Sequence, residues 1–256
     1  MLPSTRHKFL QQDSVLERYR NLHIELAPGR DRLLPVCRNP NSVFCDPDVQ
    51  ILKHDHATSV VRKTIEKDDF VIKQYHLRNP GYALKRSVRR SRARHCWNMA
   101  TKLLQLGIAT AQPIAIVEER FGLLRRRSWL LSEWLDGDIC SAYLLRHGLT
   151  ETTRPVCQAL LNLLHQLRQH SIAHGDLKAS NILLTPTGPA LIDLDGTRMY
   201  RPDSPRWRYA RQRDLRRFLR NWEQQPELLQ FFTQRLIDQE AVPGSLPGAR
   251  PKTGSS

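Results

Sequence analysis

The chain has 256 residues, 40% of them hydrophobic, and 40 Lys+Arg against 25 Asp+Glu give it a formal charge of +15. That apolar content supports a packed core, while no run approaches the ~18 consecutive apolar residues of a membrane span. Five cysteines without a C-x-x-C pair predict reduced thiols rather than disulfides or zinc, and the opening MLPSTRHKFLQQDS lacks the apolar stretch of a secretory signal.

The positive charge is clustered in KRSVRRSRAR (85–94), RRR (125–127) and the nine arginines of 198–220. Such a field favours a polyanionic partner, be it anionic lipid, phosphorylated glycan or nucleic acid; the alternative is a solvated face. In chain order, residues 1–45, broken by Pro28, Gly29, Pro35 and Pro40, read as an irregular arm. SVVRKTI (59–65) and FVIKQYHL (70–77) are strand-like runs separated by EKDD, a hairpin pattern. RARHCWNMATKLLQLG (92–107) has helical spacing and stops at Gly107. PIAIVEE and SWLLSEWL predict two more strands, the second closing at Asp136-Gly137. The helix predicted over 153–170 has Thr153 as its cap and Pro155 in its first turn. NILLT and ALIDLDG are short strands around the turn PTGP. ARQRDLRRFLRNW (210–222) and PELLQFFTQRLI (226–237) predict helices, and the Gly/Pro/Ser-rich tail 241–256 predicts disorder. The order gives an α+β fold of two lobes: a small β-rich N-lobe with one helix (46–135) and a mainly helical C-lobe (136–240).

His174, Asp176 and Asn181 in HGDLKASNILL fit the catalytic-loop spacing H-R-D-x-x-x-x-N. Phosphoryl transfer needs a carboxylate to orient and deprotonate the attacking hydroxyl, which Asp176 offers, and oxygen ligands for Mg²⁺, which Asn181 offers. Lys178 places a cation near the transferring group. Twelve residues after Asn181, Asp193 ends an apolar strand and is a second Mg²⁺ ligand, with Asp195 the weaker choice. Lys73, in the middle of FVIKQY, suits the α/β-phosphates of ATP. In LLSEWLDG, which resembles the connector between kinase lobes, Glu133 and Leu135 are placed against the adenine. Each has a plainer alternative: a polar turn, a strand-ending Asp, a lysine on an edge strand.

Taken with FVIKQYHLR, LLQLGIATAQPIAIVEE, LIDLDGTR and RDLRRFLRNW, these segments run over about residues 50–222. The chain resembles the lipopolysaccharide core kinases (heptose/Kdo kinases) of the protein-kinase-like superfamily. The resemblance implies a bilobal protein-kinase-like fold, ATP and Mg²⁺ as cofactors, and transfer to a sugar hydroxyl, heptose or Kdo, of the lipopolysaccharide inner core. It implies an anionic core glycan as partner and a cytoplasmic location with peripheral contact to the inner face of the inner membrane; nucleic acid is not expected. The alternatives are a protein or another small molecule as acceptor, or a pseudokinase with a binding role.

The chain departs from the kinase pattern in three places. LKHDHATSVVRK (52–63) contains no glycine where the nucleotide loop belongs, so Thr58 and Ser59 are the expected substitutes. Cys96 stands where a helix Glu would pair with Lys73, leaving Glu66 as a candidate partner. Gly175 replaces the Arg of H-R-D, and the short span from Gly196 to Ala210 leaves little room for a phosphorylatable activation loop. Asp214 is expected as a buried anchor of the catalytic loop.

Overall fold

In the computed structural model the described residues are 14–76, 90–122 and 124–241. They fall into two compact units, Met1–Asp136 with Leu191–Thr197, and Gly137–Ala190 with Arg198–Ser256. The basic residues 85–89, the segment 1–13 and the tail 242–256 lie outside the described residues.

The first unit is built on a seven-stranded antiparallel sheet of order β1-β2-β6-β7-β5-β4-β3. The strands are β1 (Val15–Tyr19), β2 (Leu22–Leu26), β3 (Gln50–His54), β4 (Thr58–Ile65), β5 (Asp68–Tyr75), β6 (Pro113–Phe121) and β7 (Leu124–Glu133). Residues 14–45, expected as an irregular arm, are therefore corrected. β1 and β2 form a hairpin that β2 joins to β6, and a short helix α1 (Leu34–Arg38) follows. β4 and β5 pair from Thr58↔Tyr75 to Ile65↔Asp68, closing on a two-residue turn at Glu66, where φ is +59°.

The period of two in β5 sorts its side chains. Phe70 and Ile72 are fully buried in the core with Ile24, Leu26, Val61, Trp129 and Leu131. Lys73 and Tyr75 are sent to the other face. There Tyr75 meets Cys96 of helix α2 (Arg92–Gln105). Ser91 caps that helix by accepting from the Arg94 amide at 3.1 Å, and Gly107 beyond its end has φ +74°.

The second unit holds α3 (Cys140–His147), α4 (Arg154–Gln169), α5 (Pro205–Arg220) and α6 (Pro226–Ala241). Its small sheets are β11-β10-β8 (β8 Asp138–Ile139, β10 Ile182–Thr185, β11 Gly188–Leu191) and β12-β9 (β9 Ile172–Ala173, β12 Arg198–Met199). α4 buries Cys157, Leu160, Leu161, Leu163, Leu164 and Leu167; its expected cap Thr153 makes no side-chain capping bond. α5 begins at Ser204, which accepts from the Trp207 amide at 3.2 Å, with Pro205 at the first helical position. Phe218 of α5 packs on Phe232 of α6 at 5.0 Å between ring centroids and on Trp222 at 5.7 Å. That aromatic cluster fixes the rotation of α5, and with it the direction of Asp214 and Arg217.

The boundary expected after residue 135 falls after Asp136, and the LIDLDGT segment, expected in the C-lobe, groups with the first unit. No helix among the described residues is long and apolar enough to cross a membrane.

Candidate active site

In the first unit, Lys73 is 15% exposed at its side chain and meets two carboxylates. Its Nζ lies 2.6 Å from Asp193 Oδ1 and 3.3 Å from Asp195 Oδ2. Burial alone would lower the lysine's pKa, but Asp195 and then Asp193 outweigh it and hold the ammonium above its ordinary value. Glu66 is not its partner: in the β4–β5 turn it pairs with Arg32 at 2.6 Å. Asp193 itself takes φ +59°, a left-handed conformation unusual outside glycine.

Asp195 is the residue most underrated by sequence reasoning. Arg92 pairs with its Oδ2; at Oδ1 it accepts the Tyr75 hydroxyl and the Cys96 thiol, each at 2.9 Å. Although burial pushes its carboxyl up, Lys73 and Arg92 bring it down to about 2. Burial pushes the Cys96 thiol up, so it stays neutral. The carboxylate missing from α2 is thus supplied two residues after Asp193, with Cys96 a hydrogen-bond donor to it.

The glycine-free turn between β3 and β4 is also occupied. Asp55 Oδ1 accepts the amides of Ala57 and Thr58, both at 2.7 Å, and the Thr58 hydroxyl at 3.3 Å. Ser59 bonds His54 at 2.8 Å and His76 at 2.9 Å. The hydroxyls expected to stand in for loop glycines are buried and already bonded, which corrects that expectation. Glu133 ends β7 with its amide on Gln112 O at 3.0 Å and its side chain paired to Arg30. Its side chain is a brace for Arg30, and Leu135 beyond it is half-buried.

The second unit carries the HGD loop. Gly175 has φ +83°, a conformation that the Arg of H-R-D would adopt only under strain. Its amide donates to Asp214 Oδ2 at 3.0 Å, and Arg213 donates to its carbonyl at 3.3 Å. Asp214 is thus the buried anchor its sequence position predicts. Asn181 donates from Nδ2 to the Asp176 carbonyl at 2.9 Å, which turns its amide oxygen away from Asp176.

Asp176 is clamped by cations. Arg217 pairs with Oδ1 and Lys178 with Oδ2 at 2.9 Å. Partial burial raises its carboxyl, but the Lys178 hydrogen bond and the charges of Lys178, Arg217 and His174 hold it below the ordinary value. Around it opens a cavity of about 410 Å³, lined by Asp176, Lys178, Arg217, Arg220 and Asn221. Sequence reasoning singled out Asp176, Lys178 and Asn181 and missed Arg217, although it follows Asp214 by three residues on one helix face.

Lys73 and Asp193 come together in the first unit, and Asp176, Lys178 and Asn181 in the second. The chemistry on offer is an ionised carboxylate at a cavity, a buried ammonium, and amide and carboxylate oxygens of the kind Mg²⁺ takes.

The sequence profile of the lipopolysaccharide kinase (Kdo/WaaP) family matches residues 56–239, well over half of the chain. Over 143 residues the chain is 29% identical to a 3-deoxy-D-manno-octulosonic acid kinase of Xylella fastidiosa (strain M12). The match covers 56% of this chain and 52% of that protein, so the chain spans about half the length of the curated relative. A solved structure, WaaP in complex with acyl carrier protein, superposes with a TM-score of 0.54 at 17% identity. It covers 84% of this chain and 98% of that one, which shows the shared α+β, protein-kinase-like fold.

Proposed function

The chain belongs to the lipopolysaccharide kinase (Kdo/WaaP) family, and on that premise we propose that it transfers the γ-phosphoryl group of ATP to a heptose or Kdo hydroxyl of the lipopolysaccharide inner core. The observation that carries this reading is Asp176, an ionised carboxylate on a backbone-locked loop, half-exposed at a cavity of sugar-binding size.

In the reaction, Asp176 accepts a hydrogen bond from the sugar hydroxyl and aims its oxygen at the γ-phosphorus. The new P–O bond forms as the bond to the β–γ bridging oxygen breaks. ADP leaves with that electron pair, and the hydroxyl proton passes to Asp176. Lys178, beside Asp176, offsets charge on the transferring phosphoryl group, and Lys73 does so on the α/β-phosphates. The backbone at Glu133 and Leu135 takes the adenine edge. Asn181 and Asp193, on motif spacing, would be the oxygen donors for Mg²⁺, which when bound would neutralise phosphate charge. The cationic surface suits a polyanionic glycan and peripheral contact with an anionic membrane face, in keeping with a cytoplasmic site of action.

The test is mass spectrometry of core oligosaccharide from cells with and without the active protein, together with transfer by the purified protein. One phosphate, gained on a heptose or Kdo and lost in the Asp176→Ala strain, is the expected result. ATP binding with no phosphate on any core glycan would overturn the reading.

A further inference from the structure

The clamp on Asp176 poses a problem for the chemistry just proposed. Oδ1 is paired with Arg217, while Oδ2 faces Lys178 at 2.9 Å and the Asn181 amide at 3.4 Å. Three of the roughly four acceptor sites of the carboxylate are then taken, and a cation sits on each oxygen, holding its electron pairs against a hydroxyl proton. Departure of one cation leaves an oxygen free to take that proton.

Arg217 is the partner built to leave. Its side chain is 41% exposed and that of Lys178 51%, so both ion pairs exchange with water; Arg217 alone has a second guanidinium, Arg220, beside it on its own helix to share an incoming anion. Its helix does not have to move for the exchange. α5 is pinned by Asp214 on the Gly175 amide and by Phe218 in the aromatic cluster, one on each side of Arg217 in sequence. Arg220, one turn on, lines the same cavity and makes no ion pair among the described residues. The cavity therefore sets three cations, Lys178, Arg217 and Arg220, against the single carboxylate of Asp176. Two guanidinium groups beside the hydroxyl-binding position suit the planar, bidentate recognition of a carboxylate or phosphate.

We propose that Arg217, supported by Arg220, reads an oxyanion on the acceptor sugar, and that this oxyanion draws Arg217 off Asp176 and so frees the base for the hydroxyl. The inference rests on the kinase reading above and adds to it a substrate-triggered release. Two sources share the required chemistry: the carboxylate of a sugar acid and a phosphate ester already on the glycan. A neutral acceptor leaves the clamp closed and is a poor substrate for that reason, beyond any loss of binding.

The experiment is steady-state kinetics of the full chain on three forms of core glycan: native, carboxyl-reduced and dephosphorylated. The proteins compared are wild type, Arg217→Ala, Arg217→Lys and Arg216→Ala, the last removing the same charge from an exposed neighbouring position. Arg217→Ala should lose about 10–100-fold in kcat/KM on native glycan. On the glycan lacking the recognised group it should gain up to ~5-fold over wild type, because its base is already free. Arg217→Lys should recover part of the native activity, and Arg216→Ala should follow wild type. The neutralised form that shows this crossover identifies the carboxylate or the phosphate as the trigger. Wild-type activity on all three glycans, with Arg217→Ala lowering each by the same factor, overturns the inference and leaves the kinase reading intact. Inactivity of the wild type on every glycan overturns the kinase reading, and the inference with it.

Discussion

Lys73 and Asp176 are both charged groups held between opposite charges, yet their surroundings differ in kind. Around Lys73 the pair with Asp195 is sheltered, with side-chain exposures of 15% for Lys73 and 21% for Asp195, and Tyr75 and Cys96 complete the hydrogen bonding of Asp195. Around Asp176 the cations are open, 41% exposed for Arg217 and 51% for Lys178. Buried pairs are costly to break because a partner left behind is an uncompensated charge, whereas exposed pairs exchange with water and salt. The Lys73–Asp195 pair is suited to hold one arrangement, and the cluster at Asp176 to change partners during turnover.

That contrast can be broken most directly at Asp176. Replacing it by Asn should lower transfer by about 10³-fold, the scale of a general base, with ATP affinity held within about twofold by calorimetry. Near-normal turnover would mean that the open cluster is not where the hydroxyl is activated. Next in size is the stability difference between the clusters. Asp195→Ala should cost about 3 kcal/mol, since it strips Lys73, Arg92, Tyr75 and Cys96 of one shared partner. Arg217→Ala should cost less than about 1 kcal/mol. Equal losses in denaturant melts would erase the distinction.

A pH profile sharpens it further. Asp195 titrates at about 2 in the folded protein, below the ordinary aspartate value near 3.9. Its stabilisation, about 2–3 kcal/mol, is therefore complete above about pH 5 and is lost as pH falls through 2. Asp195→Asn should flatten that acid limb of the stability curve, and an unchanged limb would show that Asp195 does not carry it. The smallest effect belongs to salt. Raising ionic strength from about 0.05 to 0.5 M shortens the Debye length several-fold, so the KM for glycan should rise severalfold while the affinity for ATP at Lys73 changes little.

The arrangement of the HGD loop was legible because its spacing is local: His174, Asp176 and Asn181 lie within eight residues, and Gly175 and Asp214 carry their own backbone and burial logic. Helix α2 and strands β4 to β7 of the central sheet were legible from their periodicity and stops. The partner of Lys73 was not, because Asp195 lies 122 residues away and the nearer acid, Glu66, was taken by Arg32. The hairpin of β1 and β2 was missed for a related reason. VLERY and LHIEL are five residues each, and what fixes LHIEL is pairing with β6 nearly a hundred residues later. The prolines and glycine that follow then obscured the short alternation. Arg217 was visible only as part of a charge run; that it faces Asp176 depends on the helix rotation set by Phe218.

The turn at Asp55 bears on the design of inhibitors. Compounds that mimic ATP often gain affinity by reaching for free amides in the loop between the first strands of the nucleotide-binding sheet. Here the Ala57 and Thr58 amides are capped by a carboxylate that belongs to the chain, and Lys53 lies 3.0 Å from its other oxygen. An anionic warhead aimed at this turn would meet Asp55 before any amide. A compound carrying a cation in that position would have to displace Lys53 from Asp55 to gain anything from the carboxylate.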